Sequence, residues 1–122
     1  MTWLDVKVIT LQKMFSVSRD EIERDEVNST YLAAMPFVCN EALSLLHADE
    51  DNITRATPDG YEFKLDNKGV ELLPLYMASQ LYKDEDVGLA SIYRNEFEVG
   101  REQFLRSGKS DVGAAKVVRL ND

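Results

Sequence analysis

Residues 72–105 read LLPLYMASQLYKDEDVGLASIYRNEFEVGREQFL. The reading of this stretch decides the fold. It describes two amphipathic helices joined by an acidic turn, and it holds much of the aromatic content of the chain. Asp66 is placed to N-cap the first helix, because its carboxylate can accept the orphan amides of the first turn. Asn67 is an alternative cap one residue on. Val70, Leu73, Met77 and Leu81, flanked by Tyr76, then recur at spacings of three and four, which puts them on one stripe. Pro74 cannot donate its amide and crowds the carbonyl four residues back. It therefore predicts a helix that starts near Leu73 with the proline in its first turn, or a kink at that point.

Lys83-Asp84-Glu85-Asp86 interrupts the pattern. Asp84 or Asp86 is the natural cap of the next helix, where acidic groups suit the positive end of the dipole. Val87, Ala90, Tyr93, Phe97, Gly100 and Phe104 form the stripe that follows. Glycine in that stripe costs about 1 kcal/mol of helix propensity, so Gly100 predicts a close helix crossing. So short a connection makes the two helices antiparallel neighbours.

Upstream, Ile53–Leu65 differs in kind. Thr54, Ala56, Tyr61, Phe63 and Leu65 flank Pro58-Asp59-Gly60, a turn signal in which proline pre-sets φ and glycine accepts φ > 0. Tyr61, Phe63 and Leu65 alternate with Glu62 and Lys64 as in a half-buried strand. The segment predicts a short two-stranded excursion or an extended loop. An isolated hairpin is marginal, so it must rest on the helices or pair with another chain.

Before it, Ser29 or Thr30 begins a helix with Leu32, Met35, Cys39, Ala42, Leu43 and Leu46 on one face and Tyr31, Val38 and Leu45 at its edges. Pro36 inside it predicts a kink or a joint between two pieces. A first helix spans Trp3 to Phe15, with Asp5 as its cap and Val8, Leu11, Met14 and Phe15 as its stripe. Ser18 and Glu21 form a capping-box pattern that opens a short charged helix, Arg19 to about Glu26. At the other end, Ser107-Gly108-Lys109-Ser110 marks a change of composition. Residues 111–122 carry no aromatic group. Val112, Val117, Val118 and Leu120 there, with Tyr61 and Phe63, are the candidate partner-binding residues, the tail acting as an arm or added strand.

The chain has 122 residues, a formal net charge of −8 and 44% apolar residues. That length suits one domain, read here as a helical domain over 1–106 and a tail over 107–122, and it is enough to bury a core without staples. A single cysteine excludes an internal disulfide. The opening residues show neither a basic segment nor a signal-length apolar run, and no stretch approaches a membrane span, so a cytosolic origin is expected. The acidic balance disfavours sequence-specific nucleic-acid binding, which requires Lys and Arg against phosphate.

No constellation for chemistry is visible. His47 is the only histidine and sits near a helix end, and Cys39 falls on a core stripe, so neither a zinc set nor an activated nucleophile is assembled. Neither acidic run, from Asp49 or from Asp84, places glycine and glutamate where an EF-hand loop needs them. Gly108-Lys109-Ser110 lacks the upstream glycine of a phosphate loop. The expectation is a non-enzyme with no catalytic residue, no metal and no cofactor.

The runs Glu71-Leu72-Leu73-Pro74-Leu75-Tyr76-Met77-Ala78-Ser79-Gln80-Leu81-Tyr82-Lys83-Asp84-Glu85-Asp86 and Leu89-Ala90-Ser91-Ile92-Tyr93-Arg94-Asn95-Glu96-Phe97-Glu98 resemble the C-terminal helical hairpin of tailed-phage and prophage head–tail connector (neck adaptor) proteins. Thr10-Leu11-Gln12-Lys13-Met14-Phe15, Tyr31-Leu32-Ala33-Ala34-Met35-Pro36 and Asn40-Glu41-Ala42 are also similar to such proteins. The resemblance covers residues 6–46 loosely and 60–104 better. It implies a mostly α-helical, non-enzymatic subunit that assembles in the bacterial host cytoplasm. In the virion neck it would form a homo-oligomeric ring between portal and tail, with portal, tail or stopper proteins as partners and a monomeric state in solution as an option. The family offers no defining site residues to carry over.

The combined expectation is an all-α protein: a small helical bundle with a C-terminal antiparallel hairpin, a β-like excursion near 53–65 and an extended C-terminal arm. Its expected role is structural, in a phage particle. The alternatives are another tail-assembly protein and a small cytosolic regulatory adaptor that binds one protein partner.

Overall fold

A computed structural model of the chain describes residues 1–15 and 29–108. The capping box at Ser18 and Glu21, the short helix after it and the arm residues Val112, Val117, Val118 and Leu120 lie outside the described residues. The protein is all-α, and no strand forms among the described residues. Its helices are α1 (Trp3–Met14), α2 (Ser29–Leu45), the single turn α3 (Asn67–Val70), α4 (Leu73–Tyr82) and α5 (Val87–Ser107).

The helix α4 has no charged side chain, and Leu73, Pro74, Tyr76, Met77, Ala78 and Ser79 are buried along it. A helix apolar on all sides belongs inside the molecule. Accordingly α1, α2 and α5 all pack on α4. The buried faces of α1 (Trp3, Val6, Leu11, Met14) and α2 (Met35, Cys39, Ala42, Leu43) meet it in one core with Ile53, Phe97 and Phe104. The Ser79 hydroxyl donates to its own helix at Tyr76 O (2.6 Å), and Thr10 donates to Val6 O (2.7 Å), so neither buried hydroxyl is left unpaired.

Helix ends follow the capping chemistry, with one correction. The cap of α1 is Thr2, whereas Asp5 is the third helical residue. The Thr2 hydroxyl accepts from Asp5 N (3.1 Å) and the Asp5 carboxylate accepts from Thr2 N (3.0 Å), a reciprocal capping box. The carboxylate reads as a cap in the sequence because either position lets it accept an orphan amide. Asp66 accepts from Lys68 N (2.9 Å) and Asp86 from Leu89 N (2.9 Å). Pro74 sits in the first turn of a helix that starts at Leu73, after the break at Glu71-Leu72. Pro36, by contrast, marks no joint between two pieces: α2 runs through it as one helix, with the ring buried.

The contacts between α4 and α5 run in opposite senses along the two chains. Tyr76 packs on Phe97 with ring centroids 5.1 Å apart and the rings tilted by 57°, and Leu72 lies against Gly100. One turn further, Gly69 of α3 lies against Phe104. A Cβ built on Gly100 would stand 2.4 Å from Leu72 Cδ2, so the missing side chain is what admits Leu72. Val87, expected on the buried stripe, is instead 70% exposed. It is the first residue of α5, directly after the Asp86 cap.

Residues 48–66 form an extended loop. The turn at Pro58–Tyr61 closes through Tyr61 N to Pro58 O (3.0 Å). Gly60 does not use a positive φ there. Among the described residues only Gly108 and His47 have one. In place of a two-stranded excursion, the loop makes a single antiparallel bridge, Thr2 to Glu62, beside Trp3 N to Tyr61 O (2.9 Å).

Candidate functional site

A concavity with a volume of about 980 Å³ lies between α2 and the first part of the 48–66 loop. Pro36, Leu45, Ile53 and Tyr76 supply its apolar lining. Asn40, Glu41, Ser44 and Arg55 supply polar groups. Phe37, also part of the wall, is 72% exposed. An apolar cleft of this size with a few convergent polar groups is the default place for a ligand or peptide.

Four sets of contacts frame the groove. Asn40 grips the backbone of Ile53 on both sides, donating Nδ2 to Ile53 O (2.8 Å) and accepting from Ile53 N at Oδ1 (2.9 Å). A side-chain amide here replaces the partner strand that the loop lacks. Glu50 then clasps the rest of the loop. Its carboxylate accepts from the Tyr61 hydroxyl, from Lys64 N (3.0 Å) and from Leu65 N (3.0 Å). Burial, followed by the Glu50 hydrogen bond and charge, raises the Tyr61 hydroxyl well above the usual tyrosine pKa. At the other wall, Tyr76 donates to Glu41 Oε1 (3.3 Å), while the Arg94 guanidinium lies 5.0 Å from the Tyr76 ring centre. Burial raises the Tyr76 pKa first and Glu41 adds to it, with Arg94 opposing. Arg101 Nε donates to Leu45 O (2.8 Å) and so satisfies a carbonyl of the last turn of α2.

The residues expected to meet a partner are distributed unevenly. Phe63 is buried, edge-on to Trp3 at 6.4 Å, and Tyr61 is half-buried between Phe63 and Glu50. Both rings therefore have partners within the chain, and neither lines the groove. The other four candidates lie outside the described residues. Sequence reasoning missed Phe37, Asn40 and Glu50. Phe37 carried a usable signal: it stands two residues from both Met35 and Cys39, so helical geometry turns it away from their buried face. Asn40 and Glu50 carried none, since their value lies in backbone groups 13 to 15 residues away.

His47 and Cys39 have structural surroundings. His47 is exposed in the left-handed region (φ 55°), directly after α2. His47 N bonds Ser44 O (3.0 Å) and Ala48 N bonds Leu43 O (3.0 Å), the paired pattern of a Schellman cap. Cys39 is buried, and burial, with a further push from Glu50, raises its thiol to about 12. Such a thiol is protonated and unreactive at neutral pH. No group of three or more metal-ligating side chains occurs among the described residues. No helix of the described residues is long and apolar enough to cross a membrane.

Comparison with family models, with curated proteins and with solved structures finds no match.

Proposed function

We propose that this chain is a structural subunit of a tailed-phage or prophage particle, a head–tail connector ring component between portal and tail. The resemblance of residues 71–86 and 89–98 to neck proteins supports the family. One structural observation carries the assembly role: Ile92 and Val99, two turns apart on α5, are 55% and 59% exposed. Their spacing of seven puts them on one face. An apolar pair on the outside of a 21-residue helix is a natural contact for a neighbouring subunit.

In this reading α4 and α5 are the C-terminal antiparallel hairpin of a small bundle. The extended loop over 53–65, with its single antiparallel bridge, stands in the place of the β-like excursion, and the residues after the Gly108 cap are the arm. The partners are further copies of the chain and portal, tail or stopper proteins. Assembly takes place in the bacterial cytoplasm, and the mature site is the virion neck. The acidic surface would let DNA pass without sticking. The groove beside Phe37 favours a second reading, a regulatory adaptor that binds one peptide segment of a protein partner.

Deletion of the gene tests the first reading. It is expected to leave DNA-filled heads without tails in electron micrographs. Complementation with Ile92→Asp/Val99→Asp should fail although the variant folds. Normal tailed particles from the deletion would remove the connector assignment. Flanking genes of signalling or metabolism would move the adaptor to the front.

A further inference from the structure

We infer that the groove between α2 and the 52–56 loop receives the chain's own C-terminal segment, residues 112–120 of the same molecule. The inference stands on the groove and does not depend on the phage reading.

The groove presents Pro36, Leu45, Ile53 and Tyr76 with Phe37 standing 72% exposed beside them. Apolar surface of this kind gains by being covered. Its length is set by α2. From Pro36 to Leu45 the helix rises about 13 Å at 1.5 Å per residue. Four extended residues span about the same distance, and Val117-Val118-Arg119-Leu120 is a four-residue run with three aliphatic side chains.

The tether permits the return. Arg101 on α5 touches Leu45 at the end of the groove, with Nε 2.8 Å from Leu45 O. From there α5 continues to Ser107, roughly 10 Å further along the helix. Residues 109–117 can span up to about 30 Å, more than that excursion requires.

Charge selects this segment over the other candidate. Residues 109–120 carry Lys109, Lys116 and Arg119 against Asp111 alone, in a chain of net charge −8. The groove wall offers Glu41 to Lys116 or Arg119 and Arg55 to Asp111. Residues 16–28 have five acidic groups and two arginines, and residues 1–15 and 29–108, with 15 acidic against 9 basic groups, repel them as a body.

The test uses the full-length chain with the photo-crosslinking residue p-benzoylphenylalanine in place of Phe37. Irradiation and peptide mapping are expected to give crosslinks to residues 112–120 at monomer mass. Val117→Asp/Leu120→Asp should abolish them. Ser44→Trp, which fills the groove from an exposed position, should do the same. It should also raise tryptic cleavage after Lys116 and Arg119 roughly 10-fold, because a docked segment must open before it is cut. Crosslinks at dimer mass would overturn the inference in favour of a second copy. Crosslinks confined to residues 16–28, no crosslinks at all, or an unchanged cleavage rate in Ser44→Trp would overturn it outright.

Discussion

The neighbouring helices α4 and α5 differ in everything except their shared interface. The ten residues of α4 include no charge and touch all four other helices among the described residues. The 21 residues of α5 bury Ala90, Phe97 and Phe104 and give the rest to solvent or to the half-buried rim. Ion pairs such as Arg94–Glu98 (3.4 Å) and Arg106–Glu102 (2.8 Å) lie along its surface. In α4 the tertiary surroundings decide nearly every position. In α5 they decide one in each turn or two, and intrinsic helix preference decides the others. Tolerance to substitution should therefore differ sharply between them.

The largest effects belong to the shared interface. Phe97→Ala and Met77→Ala are each expected to cost about 2–5 kcal/mol in urea denaturation, because both side chains are fully buried. A cost below that range at Met77 would break the account of α4 as the centre of the core. Next comes the 48–66 loop. Glu50→Gln should cost about 1–3 kcal/mol, since it weakens charge-assisted bonds to Tyr61, Lys64 and Leu65 at once.

Alkaline pH sharpens the comparison at the α2 face of the core. The folded-state pKa of Cys39 is raised above its unfolded value of 9.0, to about 12. Its contribution is thus complete below pH 9 and is lost as pH rises toward 12. The urea midpoint should begin to fall as pH approaches and passes 9, the raised hydroxyls of Tyr31, Tyr61, Tyr76 and Tyr93 should steepen the fall toward pH 10, and Cys39→Ala should reduce the early part of it. A smaller gain is expected at the end of α2. His47→Gly should stabilise by about 0.5–1 kcal/mol, because glycine occupies the left-handed cap without a Cβ penalty. Smallest of all, Ile92→Asn and Val99→Asn should change stability by less than about 0.5 kcal/mol in the isolated chain. A larger loss would mean that the outer face of α5 is covered within the monomer.

The all-α class was legible because α2, α4 and α5 each write their buried stripe into three- and four-residue spacings. Asp66, Asp86 and the close approach at Gly100 were legible for the same reason, since each acts within its own helix or against the next one. Thr2 was overlooked because its role as cap depends on Asp5 bonding backward, and the two residues compete for the same position in a sequence pattern. The alternation Tyr61-Glu62-Phe63-Lys64-Leu65 does appear in the burial of these residues, yet no strand forms, because the backbone partners are Met1, Thr2 and Glu50. The groove was not legible. It exists through the grip of Asn40 on Ile53, a contact between a helix face and a loop that no local spacing encodes.

The central place of α4 also sets a schedule for synthesis. Helices α1 and α2 pack on α4 far more than on each other. When α1 has left the ribosome, its principal partner has yet to be translated. Some 60 residues separate Met14 from the start of α4, a delay of roughly 3–12 s at elongation rates of about 5–20 residues per second. Through that interval Trp3, Val6 and Leu11 lack the helix that covers them in the finished fold. The nascent N-terminal half is therefore a client for a holdase, and synonymous codons that slow translation before Leu73 should lower soluble yield without altering the finished protein.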